Sequence, residues 1–261
     1  MHAPQYHETV FSQLYPGRQD CGPVYQPVLE TLAQTLAFTN DQQQQTVVRS
    51  DAGFGGDANV NYALTAGWQI LAKGKGGQRP LRYAGRVEPT TWEPMGQERW
   101  LAPVPKPPTY VRPTQHFVLR WQTQQGLLKY ATLVCSIMDW SMQEVLAHYD
   151  DRGACETEIQ ADKHGLQLER RRKKHLAAQE ALILLTDVAH NLLAWTTHWM
   201  FPTGPYANFG PLRFTQDILT LPGRLYFEHD RLVEVHLNKR HPHAKPVAEA
   251  LSRLLDHFGN P

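Results

Sequence analysis

Residues 181–195, ALILLTDVAHNLLAW, form the most apolar window of the chain, yet Asp187, His190 and Asn191 interrupt it. That combination limits the possible folds more than any other stretch. A membrane span has no water to solvate a carboxylate, so the window reads as a buried helix of a soluble protein, with no membrane contact. His190 and Asn191 are then expected to satisfy buried backbone or the neighbouring core. The N-terminal MHAPQYHETVF lacks the basic-then-apolar pattern of a signal peptide.

The 261 residues suffice for one large domain, or one domain carrying an insertion, without covalent staples. Lys and Arg number 26 against 25 Asp and Glu, so net charge predicts no partner and a nucleic-acid surface must come from local clustering. One such cluster is RRRKKH at 170–175. The three cysteines, Cys21, Cys135 and Cys155, contain no CxxC pair, which argues against a disulfide framework and a zinc module and suits a reducing cytoplasm.

Spacing predicts a helix over 25–38, ended by the polar run NDQQQQ as a loop. TVVRSD at 46–51 reads as a buried strand delivering Asp51 to the glycine turn GFGG. A helix capped by Asp57 and stopped at Gly67 follows, then a strand in WQILAKGKGG. The GFGG and KGKGG turns lack Walker A spacing and read as turn geometry. Eight prolines between 80 and 113 predict loops and edge strands, with no helix and no central strand. A hairpin turning near residues 124–126 completes a β-rich block. SMQE at 141–144 matches a capping box and opens a helical region; a long helix runs to Met200 after a link at 165–173; a hairpin in RLYFEHDRLVEVHL and a helix over 244–257 end the chain. HPH at 241–243 reads as surface. The expected divisions are 1–77, a β-rich block 78–138, 139–200 and an extension 201–261.

The stretch YDDRGACETEIQADK, 149–163, has no apolar stripe to explain it. On a helix, Tyr149, Arg152, Glu156, Gln160 and Lys163 fall within an arc of roughly 80°, and Tyr149 to Lys163 spans on the order of 20 Å, comparable to several phosphates. A carboxylate between two cations suits a metal ion flanked by gripped phosphates. The plainer reading is a solvated face with an Arg152–Glu156 pair. Asp51 at a strand end supplies a second carboxylate of the kind that binds Mg²⁺, its plainer reading being a turn aspartate bonded to its own backbone.

The spacing Tyr, two residues, Arg, three residues, Glu, six residues, Lys resembles the signature of bacterial insertion-sequence DDE transposases. RSDAGFGGDAN at 49–59 resembles the segment of their second catalytic aspartate, LYPG at 14–17 the segment before it, and AQEALILLTDVAHNLLAW at 178–195 the helix after the glutamate. The likeness runs from about Tyr6 to the end. It implies an α/β, RNase H-like fold, a mixed sheet flanked by helices, with a β-rich insertion between the second Asp and the Glu. It implies Asp51 and Glu156 as catalytic, metal-holding carboxylates for two Mg²⁺ or Mn²⁺ ions, and DNA contact through Tyr149, Arg152 and Lys163. The basic run Arg170, Arg171, Arg172 and Lys173 is expected to lie along the DNA backbone. The implied partners are double-stranded element ends and target DNA, with a homodimer holding paired ends, at the nucleoid of a bacterial cytoplasm.

The family's first aspartate has no match here. Only thirteen residues precede Leu14, and Asp20 and Asp139 are poor substitutes, the one in a loop and the other beside a capping box. The expectation is an N-terminally truncated chain, inactive alone, complemented by an N-terminal fragment encoded upstream. The alternatives are a related nuclease or resolvase, and a non-catalytic DNA-binding remnant or regulator.

Overall fold

Two minimal strands begin the chain, β1 (His2–Ala3) and β2 (Glu8–Thr9), paired antiparallel. The computed structural model describes residues 1–3, 6–16 and 19–259, without the side chains of residues 152, 154, 155 and 257–259. The chain divides into two units, residues 16–152 and residues 1–15 with 153–261.

In the first unit, helix α1 (Tyr25–Thr35) buries Tyr25, Leu29 and Leu32 at helical spacing, as expected. The NDQQQQ run is not a loop. It forms helix α2 (Asn40–Gln45), because Thr39 and Gln42 make a reciprocal capping box that satisfies two otherwise unpaired N–H groups. Strand β3 (Val47–Ser50), helix α3 (Asp57–Thr65) and strand β4 (Gln69–Lys73) give the anticipated strand, helix, strand, with β3 and β4 parallel. Gly67, left-handed at φ 95°, ends α3.

The proline-rich stretch contains a helix after all, α4 (Arg79–Ala84), with Pro80 in its first turn, where a missing N–H costs nothing. Strands β5 (Glu93–Pro94), β6 (Arg99–Pro103), β7 (Gln115–Gln122) and β8 (Leu128–Cys135) follow. They continue the same sheet, in the order β3-β4-β8-β7-β6-β5, antiparallel beyond β4. The inner strand β6 tolerates Pro103 because that residue lies past the end of the β5 ladder, and Pro94 lies on the edge. Ser141 and Glu144 form the predicted capping box at the start of helix α5 (Met142–Asp150).

Alternation sorts the sheet's two faces. Leu71, Leu101, Phe117, Leu119, Leu133 and Cys135 pack with Val145 and Leu146 of α5, whereas Val118 and Ala102 pack with Val87 and Tyr83 beside α4. Strands β4, β6, β7 and β8 therefore bury side chains on both faces, and the mixed sheet with helices against it is compatible with the expected RNase H-like arrangement.

The second unit contains helix α6 (Arg152–Gly165), helix α7 (Leu176–Met200), and a short α8 (Pro211–Arg213) running into a π turn at Phe214–Ile218. The hairpin β9 (Gly223–Glu228) and β10 (Arg231–Leu237) follows, then helix α9 (Ala244–Gly259). Met200, Phe201, Phe209, Phe214, Ile218, Val247 and Ala250 make its core. The predicted polar interruptions of α7 hold the N-terminal segment. Asn191 Oδ1 accepts from Thr9 N–H and its Nδ2 donates to Thr9 C=O, both at 2.8 Å, so one amide acts as a neighbouring strand would. Asp187 accepts from Ser12 Oγ at 2.8 Å, and Trp195 Nε1 donates to Glu8 at 2.7 Å. Among the described residues no helix is long and apolar enough to cross a membrane.

Candidate active site and nucleic-acid contacts

Asp51 directly follows β3 and is exposed. Its Oδ1 accepts the Gly53 N–H at 2.9 Å, and its carbonyl accepts from Phe54 and Gly55 at 3.2 and 3.1 Å. The side chain is thus a turn aspartate with one oxygen oriented by its own backbone. The turn is seated by Gly55, where an added Cβ would lie 1.8 Å from the Lys73 carbonyl oxygen, and whose own carbonyl accepts from Lys75 N–H at 2.8 Å. Glycine here lets the turn close onto the end of β4, which is the turn role expected for GFGG.

Asp57 is not the cap expected of it. Gly56 holds the N-cap position, and the Asp57 carboxylate sits one residue inside α3, paired with both terminal nitrogens of Arg79 at 2.7 Å and accepting from Tyr110 Oη at 2.8 Å. The Arg79 hydrogen bonds hold this carboxyl below the usual range, against the opposing effect of burial. Two donors for one carboxylate make a structural clasp joining α3, α4 and the loop before β7.

Tyr149 lies in the last turn of α5 and packs, half-buried, against the cluster of Leu71, Phe117 and Leu146. Arg49 of β3, two residues before Asp51, donates to the His148 carbonyl at 2.7 Å, so the strand that ends in Asp51 and the helix end that carries Tyr149 are tied together. The predicted single helix over 149–163 is instead two, α5 and α6, separated at Asp151, so Tyr149 and Glu156 do not share one helix. Arg152 opens α6, but its side chain lies outside the described residues.

Along α6 the polar side chains sort into two faces. Glu156, Gln160 and Lys163 share one, with Glu156 and Lys163 two turns or roughly 10 Å apart, and Glu156 and Gln160 are exposed. Glu158 and Asp162 take the opposite face and are engaged within their unit. Glu158 meets His7 Nδ1 at 2.5 Å and also His2 Nε2; Asp162 Oδ1 meets His190 Nδ1 at 2.7 Å. The other nitrogen of His190 reaches the His7 carbonyl at 2.9 Å. Both partners of His190 accept, so the ring donates from both nitrogens as an imidazolium. Burial pushes its pKa down, and the Asp162 carboxylate more than offsets that and raises it. Burial likewise pushes Glu158 up, and its two histidine partners lower it overall.

The basic link leaves α6 through a 3₁₀ turn at Leu168–Arg170. Arg171 donates to the Leu166 carbonyl and Arg172 Nε to the Glu169 carbonyl at 3.3 Å, so two of the four cations also hold the link's own backbone. Lys163 and Arg170 line a hollow of about 260 Å³ with Gln167 and Gln216. The HPH pair is structural in part, since His243 Nδ1 bonds Tyr206 Oη at 2.8 Å.

Asp51 and Tyr149 belong to the unit of residues 16–152; Glu156, Lys163 and the basic link belong to the other. Sequence reasoning missed the inner face of α6, namely His2, His7, Glu158 and Asp162. The only signal for it was the acidic pair at i and i+4 within the opening stretch, which pointed to a helix face but not to its histidine partners.

The chain belongs to the family described as transposase DDE domain, group 1, whose model matches residues 4–257. It is thus a DDE transposase by family, a class that acts on DNA and generally uses divalent metal ions. No curated protein matches it.

Proposed function

We propose that this chain is the catalytic portion of an insertion-sequence transposase, which cuts DNA at the ends of its element and joins those ends to a target. The observation that carries the reading is the division of α6 into one face with Glu156, Gln160 and Lys163, the first two of them exposed, and an opposite face engaged within its own unit. Asp51 and Glu156 are carboxylates, the hard oxygen donors suited to Mg²⁺ or Mn²⁺, and both are exposed. Bound there, such ions would neutralise charge at the scissile phosphate and lower the pKa of an attacking hydroxyl.

The chain's residues do the rest. The Gly53 N–H fixes one Asp51 oxygen and so orients the carboxylate toward solvent. Lys163 contributes a point charge for a phosphate, Tyr149 and Arg152 are further DNA contacts, and Arg170 to Lys173 extend the grip along the backbone. Paired ends call for a dimer. The β9–β10 hairpin supports one, because Leu225, Phe227, Leu232, Val233 and Val235 are all exposed on a two-stranded unit that buries little by itself. A DNA substrate implies residence at the nucleoid.

Residues 1–261 offer no convincing first carboxylate. Asp20 is exposed, with its pKa lowered by the Gly22 N–H and by Lys75, whose Nζ lies 3.7 Å away, an arrangement suited to a turn. On our reading these residues alone therefore bind DNA without cutting it. The second reading, a DNA-binding remnant or regulator, rests on the same gap. Supercoiled DNA and element-end duplexes incubated with Mg²⁺ or Mn²⁺ test both. The proposal expects salt-sensitive binding without cutting by the chain as it stands; cutting that survives Glu156→Gln would overturn it.

A further inference from the structure

The geometry points to a second metal site, for a nitrogen-preferring ion such as Zn²⁺, built from His2, Glu158 and His190 on the inner face of α6. One donor atom from each of these three residues lies within 4.8 Å of the others. The site is sheltered: the side chains of His2, Glu158 and His190 are 8, 14 and 2% exposed. His2 Nε2 and Glu158 Oε2 are buried and have no hydrogen-bond partner beyond their facing each other. These two atoms satisfy only each other, and an ion between them would take both as ligands.

The surroundings match those of a metal centre. Asp162 holds His190 Nδ1 at 2.7 Å, so Nε2 is the nitrogen the ring has to offer, and a carboxylate behind a histidine is the common way to orient a metal ligand. His7 Nδ1 in turn holds the other Glu158 oxygen at 2.5 Å. In the metal-free chain His190 donates a proton to the His7 carbonyl; an ion replaces that proton and expels it. Tetrahedral bonds of 2.0–2.1 Å set donors roughly 3.3 Å apart, a spacing that fits within the 4.8 Å containing the three donors. Glu158, His190 and His7 also line a cavity of about 830 Å³ with Thr157 and Tyr6, which gives an entry path and room for water as a fourth ligand.

Two imidazoles and one carboxylate select Zn²⁺ or Co²⁺ over the hard ions suited to Asp51 and Glu156. The ion would clamp β1, α6 and α7 together, and so fix the helix that carries Glu156 two residues from Glu158.

The test is a Co²⁺ titration of the full metal-free chain, followed by visible absorption and equilibrium dialysis, beside Zn²⁺ competition. The expected result is one Co²⁺ per chain with the intense band of a tetrahedral site, displaced by Zn²⁺, retained in Glu156→Gln and weakened at least tenfold in His2→Ala and in Glu158→Gln. His2→Ala changes a residue at the chain's end, and its metal-free melting curve establishes that it folds. No band, or binding that survives His2→Ala but disappears in Glu156→Gln, would overturn the proposal, the latter by placing the ion at the other carboxylates.

Discussion

Replacing Asn191 by Ala removes both hydrogen bonds that hold the Thr9 backbone against α7, each 2.8 Å long. A net contribution of about 0.5–1.5 kcal/mol per bond gives about 2 kcal/mol in total, the middle of the range, because the pair is only partly buried and water recovers some of the loss. That corresponds to roughly thirty-fold more frequent opening of the N-terminal segment. The assay is native-state hydrogen exchange at the Thr9 amide, read with global unfolding by urea. Exchange at Thr9 should rise about thirty-fold, with a much smaller change at amides in the middle of α7. Asn191→Asp keeps the acceptor for Thr9 N–H but sets an anionic oxygen against Thr9 C=O, so its effect should be at least as large. Leu192→Ala, at a position more than half exposed, should change exchange little. If Asn191→Ala and Leu192→Ala behave alike at Thr9, the polar interruptions of α7 do not anchor the segment and the reasoning fails.

Burial lowers the His116 pKa to about 4, with its Nε2 held by Thr114 Oγ1 at 2.8 Å. The unfolded chain takes up the proton first, so stability is full above about pH 6.5 and falls by about 3 kcal/mol as pH drops toward 4; urea unfolding at several pH values, with His116→Gln flattening part of the curve, checks this. Gly55→Ala sets a Cβ against the Lys73 carbonyl and should cost about 3 kcal/mol, measured by thermal melting, while loosening the turn that carries Asp51. Asp51→Asn and Glu156→Gln, both at exposed sites, should leave melting within about 0.5 kcal/mol of the parent. In the basic link, Arg170→Ala and Lys173→Ala should each reduce the salt slope of DNA binding by about 0.9 for every phosphate the side chain neutralises. Arg171→Ala should in addition raise local exchange at the link, because its guanidinium also holds the Leu166 carbonyl.

The elements legible in the sequence were those whose signals are local. The hairpin of β7 and β8, the capping box at Ser141 and Glu144, the apolar spacing of α1 and the apolar window of α7 each name their structure locally. The errors came where a local signal had a competing use. NDQQQQ reads as a breaker until Thr39 is recognised as its cap, and Pro80 breaks a helix interior but not a first turn. Asp57 can cap or clasp, and only Arg79 and Tyr110, 22 and 53 residues away, decide which. The same holds for the candidate site. Asp51 at a strand end and the outer residues of α6 could be read from spacing, whereas the inner face required His2, His7 and His190, whose distance in sequence from Glu158 leaves no periodic trace.

The central proposal is that Asp51 and Glu156 both serve as metal-holding carboxylates for DNA processing. The most direct measurement is Mn²⁺ binding by the chain on element-end DNA, compared among the parent, Asp51→Asn and Glu156→Gln. The expected result is Mn²⁺ binding weakened at least tenfold in each variant with DNA binding retained. Mn²⁺ binding unchanged in either variant would contradict it.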